Sequence, residues 1–173
     1  MLVFRMFSFP TQTVRFRKFL LDKCRNPWHN DPMKFGFTGT QSGMSARQRT
    51  FIVSLCSRLS TAELHHGDCI GADADMHDLA KEFGFCIILH PPIKSAKRAF
   101  CKGADEEREP KEYIPRDHDI VDETEFLIAT PNGTSEILRS GTWATIRYAR
   151  KLGRRILIVY PDGSFVVEND EEK

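Results

Sequence analysis

The sequence predicts an α/β fold, a doubly wound three-layer sandwich around a mainly parallel sheet of about five strands. Three observations lead there. Short continuous apolar runs alternate with amphipathic helical patterns, as parallel strands covered on both faces require. Turns of glycine and small polar residues follow several of those runs. The chain has 173 residues, 40% of them hydrophobic, which is enough for one such core.

Lys34 to Thr38 reads as the first buried strand, ending in the turn Gly39-Thr40-Gln41-Ser42-Gly43-Met44. Ser45 is a natural N-cap for the helix that follows. In that helix Ile52, Leu55, Cys56 and Leu59 fall at i, i+3, i+4 and i+7, one helical face. Ala62 to His66 gives a second strand, closed by Gly67-Asp68-Cys69-Ile70-Gly71-Ala72-Asp73. Ala72, Met76, Leu79, Ala80 and Phe83 mark a second helix, which Gly84 stops. Cys86 to His90 is a third strand, ended by Pro91-Pro92.

The chain is polar over residues 93–112, a surface excursion long enough to be functional. Residues 113–123 hold a short helix with Ile120 and Val121 facing inward. Phe126 to Ala129 is a strand, Arg139-Ser140-Gly141-Thr142 a turn into an amphipathic helix, and Ile156 to Tyr160 the next strand. Residues 164–168 add an edge strand, and residues 169–173 form an acidic tail. Residues 1–32 differ in kind. They carry Arg5, Arg15, Arg17, Lys18, Lys23 and Arg25 against Asp22 and Asp31, without clear periodicity. They read as a basic, dispensable extension; Met33 directly precedes the first convincing strand, so start-codon choice is one origin for it. The organisation is therefore an extension at 1–32, a ligand-binding domain at 33–163, and an edge strand with tail at 164–173.

The net charge of +1 gives no electrostatic case for whole-surface binding to nucleic acid or membrane. No apolar run approaches the roughly 18 residues of a membrane span. The five cysteines (Cys24, Cys56, Cys69, Cys86, Cys101) are an odd number without metal spacing, which points to a reducing interior.

In a doubly wound sheet, ligands bind beyond the carboxyl ends of the strands. The three glycine turns all follow strands and should converge at that edge. There, helix N-termini offer free N–H groups and partial positive charge to an anion. Thr38-Gly39-Thr40-Gln41 supplies backbone donors and hydroxyls, but is neither GxGxxG nor a Walker sequence. Asp68 can accept hydrogen bonds from ribose hydroxyls or from a neighbouring loop. Asp73 serves the dipole of the first helical turn; with Asp68 it is a weak catalytic candidate. Cys69 at a helix start is a candidate for a lowered pKa, but lacks a partner for nucleophilic work. His66, Asp68 and Cys69 do not have zinc spacing, and no metal is expected. Of the adjacent His65 and His66, one should point into the core and the other outward. Arg98, Arg116 and Arg139 sit in loops near the proposed edge, where a guanidinium fork suits phosphate. Trp143 is read as core packing in preference to base stacking.

Gly36-Phe37-Thr38-Gly39-Thr40, the run from His66 to Asp73, Lys97-Arg98-Ala99-Phe100, Arg116 with Ile120-Val121, and the run from Arg139 to Thr145 together resemble the SLOG superfamily. This is a Rossmann-like group that includes the lonely-guy phosphoribohydrolases and the DNA-processing protein A family. The likeness is nearest to the small YspA-like members common in bacteria and bacteriophages, and spans about residues 33–163. It implies a cytoplasmic protein of a prokaryotic or phage-infected cell that senses or sequesters a nucleotide or ADP-ribose-like ligand, with no further cofactor and with self-association. The binding set would be Thr38, Gly39, Thr40, Gln41, Gly67, Asp68, Cys69, Gly71, Ala72, Arg98, Arg116, Pro131, Arg139, Ser140, Gly141 and Thr142. The phosphoribohydrolase turn is PGGxGTxxE. Here Gly141-Thr142 matches its Gly-Thr pair, while Thr145 stands where the catalytic glutamate would be. A threonine cannot replace a carboxylate in acid/base work, so hydrolysis of an N-glycosidic or phosphoester bond is the alternative reading. Single-stranded nucleic-acid binding, prompted by the basic extension, is a third.

Overall fold

The computed structural model describes residues 32–59 and 61–169. The extension at 1–32, apart from Pro32, and the tail beyond Asn169 lie outside the described residues. The elements run β1 (Met33–Gly39), α1 (Ala46–Cys56), β2 (Ala62–His66), α2 (Ala72–Glu82), β3 (Cys86–Leu89), a 3-10 turn (Ser95–Lys97), β4 (Glu106–Glu107), α3 (Tyr113–Asp122), β5 (Phe126–Thr130), α4 (Gly141–Lys151), β6 (Arg155–Val159) and β7 (Phe165–Glu168).

The strands form one sheet of order β4-β3-β2-β1-β5-β6-β7. Every pairing is parallel except β6 with β7. The sheet thus has seven strands where about five were expected. One of the two beyond five is β7, the antiparallel edge strand expected at 164–168. The other is β4, two exposed glutamates inside the polar excursion, which pair with Ile88 and Leu89. Two charged residues carry no periodicity, so no pattern could have marked them as a strand.

Strand alternation divides the core between the two faces. Phe35, Phe37, Leu64, Phe126 and Ile128 pack with the residues of α1 and α2. Leu127, Ala129, Ile156 and Ile158 pack instead with Trp143, Ile146 and Ala149 of α4 and Val121 of α3. Phe35 stacks on Phe126 at 5.6 Å. Full burial of one such ring contributes about 1.5–3 kcal/mol. Trp143 is 3% exposed and belongs to the core, as read from the sequence.

Ser45 caps α1 with a complete capping box, its hydroxyl accepting from the Gln48 N–H while the Gln48 side chain accepts from the Ser45 N–H. Leu59 lies beyond the end of α1 and is buried all the same. His65 and His66 correct a sequence expectation, since both are buried, at 1% and 0% exposure. They do point to opposite faces, but each face is covered. His66 Nε2 meets His77 Nδ1 of α2 at 3.1 Å, and His65 Nδ1 meets His90 Nε2 at 3.0 Å. Burial holds His66 well below its usual pKa and takes His90 down to about 3.

The chain runs outward through β1, β2, β3 and β4, then crosses back to place β5 on the other side of β1. The point of reversal lies between β1 and β5, where doubly wound sheets open a crevice at their carboxyl ends.

Candidate functional site

At that crevice the glycine turns touch one another. Thr40 N–H donates to Thr130 O across the ends of β1 and β5, at 3.2 Å. The Ala72 N–H that begins α2 donates to Thr40 O at 2.9 Å. Thr142 Oγ1, in the first turn of α4, donates to Gly39 O at 2.8 Å. Gly71 sits between, at φ +92°, and a Cβ there would lie 2.4 Å from Gln41 O. Glycine is thus required where two turns cross.

Around this junction lies a cavity of about 470 Å³, within the range of small-ligand sites. From the predicted set it is lined by Thr38, Gly39, Thr40, Gln41, Cys69, Arg116, Arg139, Ser140, Gly141 and Thr142. The sequence reading missed Tyr113, Asp117, Asn132 and Ile137 as lining residues, and named Lys97 and Asp73 without assigning them to the binding set. A signal for two of these existed. Tyr113, Arg116 and Asp117 stand at i, i+3 and i+4 in α3, so a helix presenting Arg116 presents all three.

Six predicted residues are not among the lining. Gly71 and Ala72 brace the turns from behind, and Pro131 uses its carbonyl to hold Gln48 Nε2 at 2.8 Å. Gly67 makes room: a Cβ there would lie 1.5 Å from Arg116 Nη1, so only glycine lets the guanidinium reach under the cavity floor. Asp68 and Arg98 satisfy each other. The Asp68 carboxylate, 0% exposed, accepts from Arg98 Nε at 2.6 Å and from the Cys101 N–H at 2.9 Å. Arg98 also pairs with Glu107 at 2.7 Å. Of the two roles open to Asp68, the one observed is the clasp on a neighbouring loop.

The floor is a buried charge cluster. Arg116, 6% exposed, lies 3.0 Å from Asp117 Oδ1 and 3.3 Å from Cys69 Sγ. Its buried Nε has no protein partner. Asp73 Oδ2 accepts from the N–H groups of Gly67 and Cys69, at 3.1 and 3.2 Å. Burial outweighs Arg116 and these bonds, and lifts Asp73 to about 7. Burial likewise raises Asp117, against the opposing pull of Arg116 and of the nearby Thr145 hydroxyl. Cys69 departs from expectation, its thiol pushed up to about 11 first by burial and then by Asp73. Desolvation outweighs any lowering by the helix start.

At the rim, Arg139 is exposed and makes no ion pair among the described residues. Lys97 Nζ lies 6.0 Å from the centre of the Tyr113 ring, and the Arg116 guanidinium 5.8 Å from it. Ser140 caps α4, its hydroxyl accepting from the Trp143 N–H, and leaves the first-turn amides of Gly141 and Thr142 beside the cavity. Three cations therefore face two carboxyls whose charge burial opposes. The net potential favours an anion.

No protein-family model matches the chain, and no curated protein matches it. Two solved structures are similar in fold. TM1055, a structural-genomics target, aligns with TM-score 0.52 and 14% identity over 72% of each chain. A molybdenum cofactor binding protein from the phototrophic bacterium Rippkaea orientalis aligns with TM-score 0.59 and 15% identity, over 76% of this chain and 78% of that one. At such identities the likeness shows a shared Rossmann-like α/β fold.

Proposed function

We propose that the cavity binds a phosphorylated nucleoside or an ADP-ribose-like molecule, as in the SLOG proteins that the sequence resembles. The observation that carries this is the buried Arg116 guanidinium, with an unpartnered Nε, beneath a cavity rimmed by glycine-turn amides and the N-terminus of α4. A phosphate placed there meets Arg116 from below, the α4 amides from one side and Arg139 from the rim. The Tyr113 ring and Ile137 offer an aromatic and an apolar surface for a base. Asp68, engaged with Arg98, is not offered to the ribose.

Isothermal titration of the full chain with AMP, ADP, ADP-ribose, adenosine and inorganic phosphate tests this reading. A phosphorylated pterin belongs in the panel because the Rippkaea protein is described as binding a molybdenum cofactor. We expect one phosphorylated nucleoside to bind at a 1:1 ratio and adenosine to bind far more weakly. Failure of every nucleotide, or equal binding of adenosine and AMP, overturns it.

A second reading, hydrolysis of the bound nucleotide, rests on the floor carboxyls. Thr145 occupies the place of the family's glutamate and donates its hydroxyl to Gly141 O at 3.0 Å, yet near it Asp117, a raised carboxyl, lines the same cavity. Asp117 thus brings a carboxylic acid from α3 to where α4 has none. Chromatography after incubation with nucleoside monophosphates decides it: released base that disappears in Asp117→Asn supports turnover, and intact nucleotide throughout discards it.

A further inference from the structure

On the α3-facing side of β2, away from the cavity, three side chains from separate parts of the chain bring donor atoms together. His65 belongs to β2, His90 follows β3 on the neighbouring strand, and Glu123 caps the C-terminus of α3. None of them lines the cavity. His65 Nδ1 lies 3.0 Å from His90 Nε2 and 3.7 Å from Glu123 Oε2, and one donor atom from each residue falls within 4.8 Å of the other two. We propose that His65 Nδ1, His90 Nε2 and Glu123 Oε2 form a binding site for a divalent transition-metal ion of the zinc type.

The spacing fits one shared ion. Zinc sits about 2.0–2.1 Å from imidazole nitrogen and about 2.0–2.2 Å from carboxylate oxygen in tetrahedral sites. Two ligands of a tetrahedron with those bond lengths stand about 3.3 Å apart. The distances of 3.0 and 3.7 Å bracket that value, and with the third pair within 4.8 Å, rotation of the partly exposed Glu123 side chain brings the three donors around one ion. Without an ion, two ring nitrogens face each other and one must carry a proton to make a hydrogen bond. With an ion, both lone pairs are used.

The surroundings are those of a metal ligand set. Glu63 Oε1 accepts from His65 Nε2 at 2.8 Å, which fixes the tautomer with its lone pair on Nδ1, toward His90 and Glu123. Glu63 is itself held by Lys34 Nζ at 2.9 Å. This carboxylate–histidine relay is the usual support of a bound metal. Arg108 donates to Glu123 Oε2 at 2.9 Å, a hydrogen bond that a ligating carboxylate retains in such sites. Both imidazoles are 1% exposed and preset, whereas the Glu123 side chain is 36% exposed and gives the ion its way in. Two imidazole nitrogens with one carboxylate select zinc, cobalt or nickel over magnesium or calcium, and leave a fourth position for water.

The test is titration of the full chain with Co²⁺, followed by its visible absorption, with Zn²⁺ displacing it. Expected are one equivalent of Co²⁺ with the intense bands of tetrahedral coordination, bleached by Zn²⁺ and unaffected by Mg²⁺. His90→Gln should abolish the bands. Glu63→Gln should weaken affinity about 10–100-fold, the usual cost of losing such a supporting group. If His90→Gln does not fold, Glu123→Gln at the partly exposed position decides, since it removes a ligand without opening the core. Absence of tetrahedral cobalt bands in the parent chain overturns the proposal. So does an undiminished signal in Glu123→Gln or His90→Gln, which would assign the metal to the cysteines or to other histidines. Neither result bears on nucleotide binding, because the cavity shares none of these residues.

Discussion

The loop after β2 and the loop after β5 are alike in sequence, each a glycine turn with a carboxylate or an arginine nearby, but they differ in how their charges are partnered. After β2, the charged groups find partners within the chain. Asp68 takes Arg98 and the Cys101 N–H, and this clasp holds two non-glycine residues, Asp68 and Phe100, at positive φ of 51° and 56°. After β5, Glu136 pairs with Arg147 and Arg150, but Arg139 makes no ion pair among the described residues, Ile137 and Leu138 stay exposed, and the α4 amides stay open to the cavity. A charge whose partners lie in the chain builds a loop. A charge left short of partners is available to a ligand.

The largest expected effect tests the cavity floor, which α3 sets between the two loops. Arg116→Ala should lower nucleotide affinity about 100-fold or more, since a charge-assisted bond contributes about 1.5–3 kcal/mol and Arg116 has more than one donor to offer. Arg116→Lys should recover little, having no fork. Gly67→Ala should mimic the loss without touching the cavity surface, because its Cβ claims the space of Nη1. Calorimetry on the three variants checks this. Unchanged affinity in Arg116→Ala would remove the buried guanidinium of α3 from the proposed phosphate site.

The next effect belongs to the closed side. Asp68→Asn should cost about 2 kcal/mol of stability, the scale of removing one partner of a buried charged hydrogen bond, and leave nucleotide affinity near its parent value. Chemical denaturation beside calorimetry separates the two readouts. A large affinity loss with intact stability would return Asp68 to the ligand.

A smaller effect is carried by pH. Asp73 is lifted to about 7, so its carboxyl is largely neutral below that pH and charged above it. Anion affinity should therefore rise as pH falls from 8 toward 6, until protonation of the ligand phosphate near pH 6 opposes it. Asp73→Asn should flatten the profile. The same group makes the free protein less stable as pH climbs from the ordinary carboxylate range toward 7, because the unfolded chain releases that proton first.

How much was legible in advance follows the range of the interactions. The bounds of β2, the Ser45 cap and the meeting of the glycine turns depend on local pattern and on parallel topology, both present in the sequence. The pairing of Asp68 with Arg98 spans thirty positions, and that of His65 with His90 twenty-five; no local rule reaches so far. The Cys69 thiol departs from the sequence expectation for a related reason. A helix start is visible in sequence, whereas the burial that overrides it is set by residues from α2 and α3.

The smallest effect discriminates most finely. A Cβ on Gly67 or Gly71 collides with its neighbours, so those glycines serve the fold, but a Cβ on Gly141 would meet nothing within 4 Å. Gly141 opens α4 with no positive φ, a position where alanine is at least as favourable. Gly141→Ala should thus leave stability unchanged or raise it by about 0.4–1 kcal/mol. If phosphate seats on the α4 amides, the added methyl stands in its approach, and nucleotide affinity falls even as the protein becomes no less stable. Should affinity hold while stability rises, the helix terminus is not the seat, and the anion rests on Arg116 and Arg139 alone.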